Sequence, residues 1–175
     1  MIIKSKNFII RNLENYEIEE ARMLHNNPQT LNWLTDNHVV EEQEQLEWFN
    51  HLQGSKNSKR LSCRLMNGNN FIGVFRLDRM DLLNGTVEVG LDIKPDERRK
   101  GYAYEIYNSV LAHLFTNMNF YRVSLATLET NVAAINLYLK LGYKLEGTLR
   151  SAILRDNKRL NVLQFGLLHY EFQPR

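Results

Sequence analysis

The sequence predicts an α+β fold with a single mixed central sheet flanked by helices. Three observations carry this. Apolar residues alternate with polar ones near both ends of the chain, in segments joined by tight turn signals. The middle of the chain switches to three- and four-residue apolar spacing, twice, with a strand between. A strand–helix–strand run requires a crossover, normally right-handed, between parallel neighbours, so the sheet cannot be purely antiparallel.

Each element follows in order. "NFIIRNL" reads as the first strand and "NYEIEEARMLHNN" as a helix that stops at Asn27-Pro28, because the residue before proline avoids the helical region. "VVEEQEQLEWFNHLQG" is a second helix, with Leu46, Phe49 and Leu52 as its apolar stripe and Gly54 at its end. "KRLSCRLM", "NFIGVFRLDRM" and "GTVEVGLDIKP" form a meander through the turns "NGNN" and "LLNG". Ala103, Ile106, Tyr107, Val110, Leu111 and Leu114 line one face of a helix from Gly101 to Phe115. "YRVSLATL" is another strand. Asn131 is placed to cap a further helix whose face carries Ala134, Ile135, Tyr138 and Leu141, and Gly142 closes it. "YKLEGTLRSAIL" and "RLNVLQFGLLHYEF" pair around "RDNKR".

Bulk properties narrow the function. A chain of 175 residues is expected to form one domain, residues 1–175, with a substantial core. Twenty-two basic against 20 acidic residues leave +2, too balanced to predict nucleic-acid or membrane partners. One cysteine, Cys63, excludes an internal disulfide and a cysteine-rich zinc site, and fits a reducing, cytoplasmic setting. The five histidines are scattered, and no metal-ligand spacing is present, so no metal is expected. "MIIKSKNFIIRNLENYE" does not read as a signal peptide, and no apolar run is long enough to span a bilayer.

The stretch "DERRKGYAYE" is chemically unusual. It joins a strand end to a helix start, where unpaired N–H groups and the helix dipole make a positive end. Glycine permits close approach of the main chain, and the preceding cations add charge, so this is chemistry suited to a phosphate. It lacks the lysine-serine/threonine ending of a nucleoside-triphosphate loop and the glycine triplet of a dinucleotide fold.

The spacing Arg98-x-x-Gly101-x-Ala103, preceded by "LDIKPDE" and followed after one strand by "ETNVAAINLYLKLGY", resembles the paired signatures of the GNAT acetyltransferase superfamily. The likeness covers nearly the whole chain and is strongest to the branch of ribosomal-protein N-terminal, spermidine and amino-sugar acetyltransferases. It implies a GNAT-like fold with a splayed parallel strand pair, and acetyl-CoA as co-substrate. The pantetheine arm would lie along Val89, Gly90, Leu91 and Ile93, as an added strand. Arg98, Arg99, Lys100, Gly101, Tyr102, Ala103 and Tyr104 would hold the pyrophosphate, with donors from the amides of Arg99 to Tyr104. Asn131 would bond the coenzyme arm, with Asn136 beside it.

The resemblance also implies roles in catalysis. Tyr138 takes the family's tyrosine position as general acid for the departing thiolate; a phenol of unperturbed pKa near 10 suits that task. Some members place a glutamate where this chain has Ala126. Glu88, charged within an apolar strand, is then the first candidate base, directly or through water. The other readings are a solvated Glu88, Glu129, or water alone. Trp33, His38 and Trp48, among Glu41, Glu42, Glu44 and Glu47, are candidate substrate-binding groups for a small-molecule amine. Arg150, Arg155, Lys158 and Arg159 suit the phosphates of a nucleotide-linked sugar or simply decorate a hairpin.

The expected activity is therefore acetyl transfer to a primary amine of a polyamine or nucleotide-linked amino sugar, by direct attack in a ternary complex, in a monomer or homodimer. The alternatives are a protein N-terminal acetyltransferase and a non-catalytic acetyl-CoA sensor.

Overall fold

The structure, a computed structural model, describes residues 1–174. In chain order the strands are β1 (Ile2–Lys4), β2 (Phe8–Asn12), β3 (Lys59–Leu65), β4 (Phe71–Asp81), β5 (Thr86–Ile93), β6 (Arg122–Leu128), β7 (Lys144–Arg155) and β8 (Lys158–Leu168). The helices are α1 (Ile18–Asn26), α2 (Pro28–Leu31), α3 (Glu42–Gly54), α4 (Tyr102–Thr116) and α5 (Val132–Leu141). Among the described residues, the strands form one sheet in the order β1-β2-β3-β4-β5-β6-β8-β7. Only β5 and β6 run parallel, joined through α4; the other neighbours are antiparallel. The expected mixed sheet with one parallel pair is present.

Four boundaries differ from expectation, each for a local reason. Strand β1, unanticipated, is a three-residue edge piece that pairs with β2 (Ile3↔Ile10). The first helix begins as a 3-10 turn at Asn15–Glu17. Proline 28 does not end helical structure but starts the short α2, with the Asn27 side chain accepting from the Gln29 N–H at 2.9 Å. Val39 and Val40 remain outside α3, because Glu41 caps it in a reciprocal box with Glu44.

The stripe expected on α3 is also shifted. Phe49 is buried, but Leu46 is 40% exposed and Gln45 faces inward instead. Gln45 Nε2 donates to the Ile18 carbonyl at 3.2 Å, so α3 docks on α1 partly through a polar contact that hydrophobic spacing does not reveal.

Two apolar layers sandwich the sheet. Ile106, Tyr107, Val110, Leu111 and Leu114 of α4 pack on Phe75, Val87, Val123 and Phe165. On the other face, Leu13, Ala21, Leu24 and Phe49 pack on Phe71 and Val74. Between α1 and the sheet lies Glu17, fully buried. It accepts from Arg11 at 2.8 Å, Ser62 Oγ at 2.7 Å and the Glu14 amide at 2.9 Å, and pairs with Arg64. Burial pushes the Glu17 carboxyl up, but these four donors outweigh it and hold it below the ordinary value of 4.5.

This pair of guanidiniums around one buried carboxylate generates a stability prediction. Glu17→Gln removes the buried charge that both cations share, leaving Arg11 only with Glu14 and Arg64 only with Glu20, and is expected to cost about 3 kcal/mol in urea unfolding at pH 7. A depressed carboxylate contributes stability above its unfolded pKa and loses it as pH falls through the lower folded value. The gap between wild type and Glu17→Gln should therefore narrow below about pH 4.5. A gap that stays constant to pH 3 would remove the carboxylate from this role.

Candidate functional site

The site is built where β5 and β6 part. Their registered pairs are Thr86↔Arg122, Val87↔Val123 and Glu88↔Ser124, and no further pairs follow. Yet β5 continues to Ile93 and β6 to Leu128. Each is held on its other side, β5 by β4 and β6 by β8. The edge of β5 beyond Glu88 therefore faces a gap in which Val89 and Leu91 have no β6 partner, while the Ile93 carbonyl is taken by Arg98. Val89, Leu91 and Ile93 turn toward the α4 layer, and Glu88, Gly90 and Asp92 toward the opposite face.

The cation-glycine turn closes one end of the gap. Arg99 and Gly101 both adopt left-handed backbone conformations, with φ of 61° and 82°. Helix α4 then starts, and its geometry leaves the Tyr102, Ala103 and Tyr104 N–H groups without intrahelical acceptors. A Cβ on Gly101 would meet nothing within 4 Å, so open space lies over the turn. The Arg98 side chain does not point into this space. Its Nε donates to the Ile93 carbonyl at 2.9 Å, and its Nη atoms to the Gln29 carbonyl at 3.0 Å and Thr30 Oγ1 at 2.8 Å. Arg98 thus fastens the turn to β5 and α2. Lys100 pairs with Glu97 at 2.8 Å, and Tyr102 packs edge-on against Phe8. Lys140 Nζ lies 4.7 Å from the Tyr104 ring centroid.

Helix α5 brings up Tyr138. Asn131 Oδ1 caps this helix by accepting from the Ala134 N–H at 3.2 Å, and Asn136 is exposed. Tyr138 is buried among the rings of Tyr107, Tyr143 and Phe165. Burial raises its hydroxyl pKa; the Tyr107 hydroxyl and the Arg76 guanidinium pull it back without reversing that direction. The phenol is protonated at neutral pH, as a proton donor must be.

Arg76 and Asp92 mark a second compartment. On the α1 and α3 side of the sheet, a cavity of about 370 Å³ crosses the gap, since Asp92 of β5 and Ala126 of β6 both line it. Trp33 and Trp48 form aromatic walls, and Arg60 lies 5.5 Å from the centre of the Trp48 ring. Asp36, Glu44 and His25 also line it. His38 stands just behind, its Nε2 2.9 Å from Glu44, and this bond raises its pKa. Arg155, from the closing hairpin, donates to the carbonyls of Leu31, Asn32 and Leu34 and pins the wall that carries Trp33.

Glu88 lies on the same sheet face but outside the cavity lining, and Arg79 holds its carboxylate at 2.6 Å. Glu129 is committed to the Asn161 amide and side chain at 2.8 and 2.9 Å. Asp92 and Arg76, which the sequence reading passed over, stand in the cavity. Their signal was present: Glu88, Gly90 and Asp92 share one face of β5 at period two, and Arg76 registers opposite Gly90.

Comparison with known proteins agrees with this geometry. Residues 7–144 match the family model described as an acetyltransferase (GNAT) domain. An uncharacterised N-acetyltransferase of Bacillus licheniformis, p20, is 25% identical over 134 residues, 77% of this chain and 75% of that protein. A spermidine N(1)-acetyltransferase of Escherichia coli K12 is 24% identical over 100 residues, 57% of this chain but only 54% of that protein. Two further Bacillus subtilis N-acetyltransferases are likewise matched over less than two thirds of their length, 59% and 63%. A spermidine N-acetyltransferase of Vibrio cholerae, solved in complex with CoA and spermine, superposes with a TM-score of 0.89 at 22% identity. That superposition covers 95% of this chain and 98% of the other.

Proposed function

Because the chain belongs to the GNAT acetyltransferase family, we propose that it transfers the acetyl group of acetyl-CoA to a primary amine of a small molecule. The observation that carries this is the opening between β5 and β6, with the α4 layer that holds Tyr138 on one face and the cavity on the other. The residues present fit the coenzyme. Open space over a left-handed Gly101 admits a pyrophosphate against the α4 amides, and the edge of β5 at Val89 to Leu91, which has no β6 partner, matches an amide-bearing arm.

Acetyl-CoA supplies an acyl group activated as a thioester, and the chain supplies position and protons. Tyr138 holds its proton at neutral pH and can deliver it to a departing sulfur. Asp92 in the cavity, rather than Glu88 on Arg79, is the carboxylate placed to receive the amine proton, directly or through water. Trp33 and Trp48 orient the acceptor, and His38 supports the wall through Glu44. The likeness to spermidine acetyltransferases makes polyamines the first acceptors to assay. The general test is thiol release from acetyl-CoA over polyamines, amino-sugar nucleotides and short peptides; release with peptides alone would replace the small-molecule reading.

Gly101→Asn should fold, since asparagine tolerates the left-handed region, yet its side chain enters the phosphate space. Calorimetry should show acetyl-CoA affinity falling at least about tenfold, or roughly 1.4 kcal/mol. Unaltered affinity would move the pyrophosphate elsewhere.

Tyr138→Phe should retain acetyl-CoA binding and lose turnover by about ten- to a thousandfold. Wild-type turnover would leave Tyr138 a packing role only.

Asp92→Asn should lower kcat more than Glu88→Gln, and the Asp92→Asn loss should shrink at alkaline pH, where more amine is already neutral. The reverse order of effects in the two pH–rate profiles would restore Glu88 as the proton acceptor.

A further inference from the structure

The acceptor cavity has two arginines on its floor. Arg60 and Arg76 rise from adjacent positions on β3 and β4, a registered pair, and both guanidiniums line the cavity. Arg60 is balanced, since its Nη1 meets Asp78 at 2.7 Å. The carboxylates at the mouth are engaged as well: Glu44 with the His38 ring, Asp36 with the His38 amide at 3.1 Å. Arg76 is different. Among the described residues its Nε–H is sealed from solvent with no hydrogen-bond partner. Asp92 pairs with it at 3.7 Å, which balances its charge but is beyond hydrogen-bonding reach. About a third of the side chain is open, and that end faces the cavity.

Arg76 is also held in place. It lies flat on β5, so that a Cβ on Gly90 would come within 2.5 Å of Nη2 and 2.8 Å of Nε. Glycine at this position makes room for the guanidinium. A planar fork with unused donors, pressed against the strand beside the gap, is a receptor for a planar or tetrahedral anion.

Resting on the acetyltransferase reading above, we infer that the acceptor amine carries its own anionic group, a carboxylate or a phosphate, which Arg76 binds while the amine faces Asp92 and the gap. A dipolar acceptor matches the Arg76–Asp92 pair end for end. A polyamine offers the Arg76 fork a second cation in place of an anion and leaves its donors unmatched. Arg76 is thus a specificity-determining residue.

The test uses matched probes: ethanolamine, O-phosphoethanolamine, β-alanine and spermidine. Binding is measured by calorimetry on the intact protein, and thiol release from acetyl-CoA is measured alongside. O-phosphoethanolamine or β-alanine should bind at least about tenfold tighter than ethanolamine, as for one charge-assisted fork. Which of the two wins identifies the anion as phosphate or carboxylate. Arg76→Gln should abolish the difference, raising KM for anionic acceptors with kcat largely kept. Gly90→Ala, which displaces the guanidinium without removing it, should weaken the anion in the same sense. Equal affinities for ethanolamine and both anionic probes, tightest binding of spermidine, or loss of acetyl-CoA affinity in place of anion affinity in Arg76→Gln would each overturn the inference. Absence of thiol release with every probe, alongside Arg76-dependent anion binding, would overturn the transferase reading and leave the anion site standing.

Discussion

The loss of pairing between β5 and β6 after Glu88↔Ser124 is the constraint on which the rest depends. Two adjacent parallel strands normally continue their ladder, because unpaired buried backbone groups are costly. Here each strand keeps a partner on its far side, β4 and β8, so the sheet survives while its middle opens. One edge of β5 is thereby freed for a ligand. Arg76 and Asp92 on the cavity side bear on the Tyr138 hydroxyl of α5, the guanidinium lowering its pKa and the carboxylate raising it.

The surrounding elements hold that opening in shape, largely through arginines that grip main-chain carbonyls. Arg98 ties the α4 turn to the end of β5 and to α2, and Arg155 ties the closing hairpin to the segment after α2. One segment, residues 29–34, is therefore clasped from both sides and carries Trp33 into the cavity wall. Glu17 plays the complementary part under α1, where one carboxylate gathers Arg11 and Arg64. These are charge-assisted bonds made in partly buried places, where geometry is set by several donors at once. They explain why Arg98, which in the sequence looks like a phosphate ligand, and Arg155, which looks like hairpin decoration, are internal fasteners instead.

The cavity shows why family likeness and acceptor chemistry are separate questions. The fold and the coenzyme-facing turn follow from backbone conformation, which distant relatives share at 22% identity. The acceptor compartment is made of side chains from α1, α3, the loop before it, β3, β4, β5 and β6, many of which can change without moving the frame. Arg76 over Gly90 is a feature of that second kind.

Local patterning determined a good deal by itself. The period-two runs, the helical stripes of α4 and α5, the caps at Asn131 and Gly142 and the glycine turn at Gly101 are all consequences of near-neighbour stereochemistry, and they are legible as such. So is the crossover that makes β5 and β6 parallel, because chain connectivity alone requires it. The partners of charged side chains are not local. Arg98 finds Gln29 and Thr30, Glu129 finds Asn161, Glu88 finds Arg79, and Asp92 faces Arg76 only because the sheet sets β4 against β5 in one register. Even the inward face of α3 was chosen by a contact with Ile18 on another helix. Backbone conformation is decided within a few residues; which carboxylate stands free beside the gap is decided by packing across the whole chain, and only the tertiary structure contains that information.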